Sequence, residues 1–380
     1  MEQRTRFLYV SCFIMSAVSG LLIPVIPLFA LSLGATPIEL GLIGSIGAVV
    51  YVIVTISTGK IGYRIGEKKL IVISCLIYAG TCSLYLYVTS ALQIVILRTM
   101  EGFSFGLFWP QIESLIAEDH SGSAEMVSKF GVSWSLGNVL GGFLSGFALE
   151  VFQITTVLFM ASLTAASLGL ANVFFIRGRN RLHNVFKKTE EVSLQKVVLE
   201  LKSSWWFITL YSFSSNMMFA YFPAYAEINS ISKLAIGLCI FLLMAGRTIA
   251  FYFFKSVVKR LEAFTKVGLI MMSIGSISIV LTTKIPGLLT AALSLGVGAG
   301  LTYSISFHKA MTVNSSKRTR YSSVFEGFVG MGYTASVIGG VLAKENATAP
   351  YLLSFAVTTM SVVTYTAHKF LSENTHKGLG

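Results

Sequence analysis

Charged residues are scarce in this chain and aspartate is nearly absent: 12% of the 380 residues are charged, and Asp119 is the single aspartate. Metal-assisted chemistry needs clustered carboxylates, histidines or thiolates at ligand spacing, and no such cluster stands in the sequence. The four cysteines, Cys12, Cys75, Cys82 and Cys239, lie inside apolar runs with neither zinc nor disulfide spacing. A glycine-rich phosphate loop followed by Lys and Ser/Thr is missing, which excludes a nucleotide-driven pump. We therefore expect no metal, no cofactor and no enzyme. Long soluble stretches are also lacking, and the signal-like start with Arg4 and Arg6 leads into a run too long to be a cleaved leader.

What fills the chain is apolar, 54% of all residues, more than a soluble domain carries. A window of about 20 residues, enough to cross hydrocarbon, finds spans near 7–33, 38–58, 70–88, 92–117, 129–150 and 154–176. Six more follow near 205–226, 234–254, 264–283, 287–312, 321–343 and 350–371. The polar interruption at 177–204 holds Arg177, Arg179, Arg181, Lys187 and Lys188 and reads as a solvated basic linker. It divides the chain into an expected N-terminal bundle, 1–176, and a C-terminal bundle, 205–380.

The net charge of +12 forms no stripe suited to nucleic acid. Lysine and arginine gather instead at the N-terminus, the 59–69 turn, the linker, the 255–266 turn, the 317–320 turn and the C-terminus, all on one side of the predicted spans. The opposite turns carry only Lys233, Lys284 and Lys344. This asymmetry predicts both termini in the cytoplasm.

An internal repeat joins the halves. Pro27 and Phe29 match Pro223 and Tyr225 at an offset of 196 residues, and Gly41-Leu42 match Gly237-Leu238 at the same offset. Gly102, Gly106, Leu107 and Trp109 align with Gly296, Gly300, Leu301 and Tyr303, and Gly141-Gly142 with Gly339-Gly340, at offsets close to 196. Ordered matches of this kind point to a duplicated transporter architecture.

These features resemble the major facilitator superfamily across essentially the whole chain. The turn GKIGYRIGEKK, residues 59–69, is similar to that family's glycine and basic motif through Gly59, Arg64 and Gly66, with Tyr63 where the family carries an aspartate. Arg98, Gly102 and Gly106 resemble its fourth-helix motif. Gly137, Asn138, Gly141 and Gly142 resemble its fifth-helix motif, with Asn138 in place of the usual proline. The resemblance implies an all-α integral membrane fold of twelve transmembrane helices in two pseudo-symmetric six-helix bundles. It also implies secondary transport of a small solute by alternating access in a plasma membrane. We expect lipid and solute as partners, proton coupling, a monomer, and an efflux antiporter for a hydrophobic or amphipathic compound. A transport-inactive sensor or scaffold on the same fold stays open, because fold does not fix function.

Charges inside spans are costly unless they face protein or water, so Arg98, Glu101, Glu113, Arg247 and Glu326 are the candidates for coupling or gating. Each also admits a structural reading, as an ion pair or a side chain reaching the interface. On the helices that the resemblance places around a cavity, Trp109, Tyr221, Tyr225 and Tyr303 are candidate substrate contacts. Asn138 and Asn216 join them as polar groups within spans. Glycines four apart, as in Gly102/Gly106 and Gly137/Gly141, predict close helix packing, while Pro24, Pro27, Pro110 and Pro223 predict kinks.

Overall fold

The computed structural model describes residues 2–120, 123–176, 193–313, 317–335, 337–343 and 346–377, and among these the chain is helical without strands. The first six long helices are α1 (Glu2–Ser32), α2 (Pro37–Ile65), α3 (Glu67–Leu84), α4 (Ala91–His120), α5 (Ala124–Val151) and α6 (Ile154–Phe175). A short α7 (Leu194–Glu200) precedes α8 (Lys202–Ile228), α9 (Lys233–Val257), α10 (Leu261–Leu281) and α11 (Ile285–Met311). Then come α12 (Arg318–Ala335), α13 (Val337–Ala343) and α14 (Ala349–Lys377). Together α12 and α13 make one span, so twelve long helical spans result. Residues 177–192 of the expected linker, Lys344, and the surroundings of Gly59, Arg64, Pro24 and Pro223 lie outside the described residues.

Among the described residues, seven stretches are long and apolar enough to cross a membrane on those grounds alone, one of them Ala235–Leu281, which takes in nearly all of α9 and the whole of α10. The remaining long helices α2, α5, α8 and α14 have 27 to 29 residues. At 1.5 Å per residue each is about 40 Å long, ample for a hydrocarbon core of about 30 Å. Helix starts are set by serine side chains: Ser123, Ser193 and Ser232 each accept the backbone N–H three residues on. Gly66 turns the chain between α2 and α3 at φ 95°, a conformation that disfavours any side chain.

Helix pairing repeats between the two halves. In the first, α1 packs on α5, α2 on α4, α3 on α4, and α3 on α6; in the second, α8 packs on α12, α9 on α11, α10 on α11, and α10 on α14. Glycine contacts carry the repeat down to single residues. A Cβ on Gly102 would collide with the backbone of Gly47, and one on Gly296 with Leu243, 196 residues after Gly47. Gly137 fits against Phe13 and Ser16, and Gly332 against Thr209 and Ser212, again 196 residues on. The counterpart of Gly137 by contact is therefore Gly332, at an offset of 195. Gly339, aligned with Gly141 by sequence, sits one turn farther along, against Met217 and Tyr221.

Two seams join the halves, α2 with α4 against α12, and α5 against α9 and α11. They too are related by the repeat, since α2 and α9 correspond, as do α5 and α12. The hydrogen bonds across both seams gather from mid-span toward the end where the linker leaves, which is called the linker side below.

Candidate functional site

Pro110 shapes the middle of α4. Lacking an N–H, it frees the carbonyl of Gly106 one turn earlier, and Thr58 of α2 donates to that oxygen at 3.5 Å. The next turn of α4 carries Glu113, fully buried. Ser322 of α12 donates to Glu113 Oε2 and also to the Pro110 carbonyl, the latter at 3.1 Å. Glu326, one turn along α12 and 5% exposed, accepts a hydrogen bond from the Tyr51 hydroxyl of α2.

The two carboxyl groups are close neighbours across the seam. Glu113 Oε1 is buried and meets no hydrogen-bond donor among the described residues. Two carboxyl groups buried side by side cannot both carry charge at low cost, and one shared proton is the arrangement that relieves them. Arg318 and Arg320, candidate partners for Glu326 by position, instead donate to the carbonyls of Ala117 and Ile56 at 2.9 and 3.2 Å.

Beside the pair stands an aromatic cluster centred on Tyr303 of α11. Its ring lies 5.1–5.4 Å from those of Tyr211, Trp134, Phe251 and Phe325, contributed by α8, α5, α9 and α12. Arg247 of α9 enters this cluster with 2% exposure. Its guanidinium carbon sits 4.4 Å above the Trp134 ring. Nε donates to Ser135 at 3.3 Å and Nη1 to the Tyr211 hydroxyl at 3.1 Å. All of these partners are neutral.

The linker-side ends are tied more conventionally. Thr319 of α12 bonds Ser114 of α4 at 2.7 Å and donates to Glu67 at the start of α3 at 3.0 Å. On the other seam Ser128 donates to the Tyr252 carbonyl at 3.2 Å, and Glu125 pairs with Lys129 at 2.8 Å and with Lys255 of α9 at 3.5 Å. Lys129 first, and Lys255 after it, hold the exposed Glu125 carboxyl below its usual range.

Arg98 and Glu101 lie elsewhere. They form an ion pair one turn apart on α4, with Arg98 Nε donating to the Ile43 carbonyl at 3.0 Å and Tyr85 donating to Glu101 at 2.7 Å. Their partners all belong to the first half, toward the side opposite the linker. Trp109 packs edge-on against Phe108 and Phe130. Tyr225 is buried with its hydroxyl on the Ile279 carbonyl at 3.0 Å, and Tyr221 lies beside Gly339. Asn216 donates to the Tyr333 carbonyl at 3.4 Å, while the backbone of Asn138 is the surface on which Gly20 packs. Gly106 and Gly141 are close-packed like Gly102 and Gly137, but Gly142 looks across the second seam at Met244, 4.0 Å from where a Cβ would lie.

Sequence reading missed Tyr51, Tyr211, Trp134, Ser135 and Ser322. A signal existed for Tyr51: it lies 196 residues before Arg247, the offset of the repeat.

The profile of the Major Facilitator Superfamily matches residues 8–337. The quinolone resistance protein NorA of Staphylococcus aureus is 26% identical over 200 residues, 52% of this chain and 51% of that protein. An uncharacterized MFS-type transporter of Methanocaldococcus jannaschii is 25% identical over 156 residues, 40% of each chain. The matches thus span about half the length of these curated relatives or less. The crystal structure of the human organic anion transporter MFSD10 (TETRAN) superposes with a TM-score of 0.79 at 14% identity, covering 96% of this chain and 99% of that one. With twelve long helical spans and a family match over most of its length, the chain is a multi-pass membrane protein belonging to the Major Facilitator Superfamily.

Proposed function

We infer that the protein is a proton-coupled secondary transporter of a hydrophobic or amphipathic organic solute, working by alternating access. The observation that carries this reading is the Glu113–Glu326 pair, two buried carboxyl groups brought side by side from opposite halves. A proton held there ties α4 to α12. Its loss would leave two like charges in a poorly hydrated site and drive the helices apart. In this reading residues 1–176 and 205–380 are the moving units, 177–204 the linker, and the linker side with both termini faces the cytoplasm of a cell whose plasma membrane holds the monomer. The aromatic cluster around Tyr303 supplies apolar surface for the solute, and the name of the quinolone resistance relative supports an organic compound of this class.

The test is flux in sealed vesicles containing the purified protein, with an imposed proton gradient and a fluorescent quinolone as first probe. Gradient-dependent movement that vanishes in Glu326→Gln supports the reading. Binding without gradient-dependent movement would favour a sensor instead.

A further inference from the structure

We propose that Arg247 and Trp134 form an anion-recognising subsite, which takes the carboxylate of an aromatic organic anion while the rings around Tyr303 take its body. This rests on the reading of the seam as the solute path and adds the chemistry of the solute.

A buried arginine is normally matched by a carboxylate, because an uncompensated charge in a dry site is costly. Arg247 is 2% exposed, yet its partners are the hydroxyls of Ser135 and Tyr211 and the face of Trp134. The hydrogen bonds of Arg247 among the described residues run from Nε and Nη1 and leave Nη2 unused. Trp134 adds a second idle donor to the same stacked pair: its ring is 8% exposed and its Nε1 is buried without an acceptor. Two unspent N–H donors, one of them cationic, are the groups that bind a carboxylate.

The surroundings fit an aromatic body. Phe251 and Tyr303 lie 5.3 and 5.4 Å from the Trp134 ring, with Tyr211 5.1 Å from Tyr303, and Trp134 and Arg247 come from opposite halves. Opening the α5–α9 seam would part the guanidinium from the indole and expose both donors together with these rings. A solute that bridges them would bind where the halves separate, which alternating access requires of a transported ligand.

The test is saturation binding of radiolabelled 2-naphthoate and of 2-naphthamide, the same ring without charge, to purified protein in detergent without any gradient. The expected result is that the wild type binds the acid at least about tenfold more tightly than the amide. Trp134→Phe, which keeps the ring and removes the N–H, should weaken the acid severalfold and leave the amide unchanged. Arg247→Gln should erase the preference, and Arg247→Met, which likewise removes the charge, serves if the glutamine variant does not fold. Glu326→Gln should keep the preference, so failure of the proton-coupling reading shows in its flux and leaves the binding result standing. Equal binding of acid and amide by the wild type, or a full preference retained both in Trp134→Phe and in the folded charge-removing Arg247 variant, overturns the proposal.

Discussion

Tyr51 and Arg247 occupy the same position in the two halves: Gly106 packs on the Tyr51 carbonyl and Gly300 on the Arg247 carbonyl, 196 residues later. The duplicated scaffold thus places two unlike side chains at matching points of the two seams. Tyr51 reaches Glu326, and Arg247 reaches Ser135 and Tyr211. One seam holds a buried carboxyl pair and the other a buried guanidinium.

The first prediction concerns Tyr51→Phe. The ring stays against Gly330 and the backbone carbonyl against Gly106, so the fold should survive, with stability lowered by no more than the lost hydrogen bond to a carboxyl, about 1.5–3 kcal/mol. Proton-driven flux should fall about tenfold or more. Wild-type flux in a folded Tyr51→Phe protein would remove Tyr51 from the site.

Glycine substitutions test the packing repeat. Gly102→Ala and Gly296→Ala each push a methyl into the backbone of the facing helix, and overpacking of this kind costs about 1–3 kcal/mol. Gly142→Ala, with its nearest neighbour at 4.0 Å, should stay within about 0.5 kcal/mol. Thermal unfolding in detergent ranks the three, and equal loss in all of them contradicts the contacts.

Glu125 provides a pH control. Its carboxyl is held below its usual range by Lys129 and Lys255, so its ion pairs persist above the ordinary carboxylate value and are lost only as pH falls through the lowered one. Between about pH 6 and 8 it stays charged. Glu125→Gln should therefore leave the pH profile of flux unmoved in that window, and a displaced profile would put a proton carrier at the second seam.

Arg98 and Glu101 separate structural from coupling roles. Sequence reading leaned toward coupling, while every hydrogen-bond partner of the pair belongs to its own half, which favours a static role. Arg98→Ala alone leaves Glu101 buried and should destabilise by about 3–5 kcal/mol. Arg98→Ala with Glu101→Ala should regain both folding and transport. A folded double variant without proton-driven flux would restore the coupling role.

Much of the fold was legible because span length, the sidedness of Lys and Arg, and glycine spacing are written locally in the sequence. The linker-proximal serine caps and Gly66 are local signals of the same kind. Glu113, Glu326 and Arg247 stood out singly, since a charge within an apolar run is costly wherever it lies. Their partnerships were not legible: Glu113 and Glu326 are 213 positions apart in sequence, and their meeting depends on how two seams close. Tyr51 and Tyr211 were hidden among 15 tyrosines, because a phenol in an apolar helix is ordinary until its hydroxyl finds a carboxyl or a guanidinium. The one-turn slip between Gly141 and Gly339 has a similar origin, since glycine identity marks a close approach without fixing its register.

The most direct measurement is proton movement itself, followed with a pH-sensitive dye sealed in vesicles that contain wild type, Glu113→Gln, Glu326→Gln or the double variant. The carboxyl pair predicts that a solute gradient moves protons in the wild type, and that each single variant and the double abolish this movement while remaining folded. Proton movement of wild-type size in the folded double variant would contradict it.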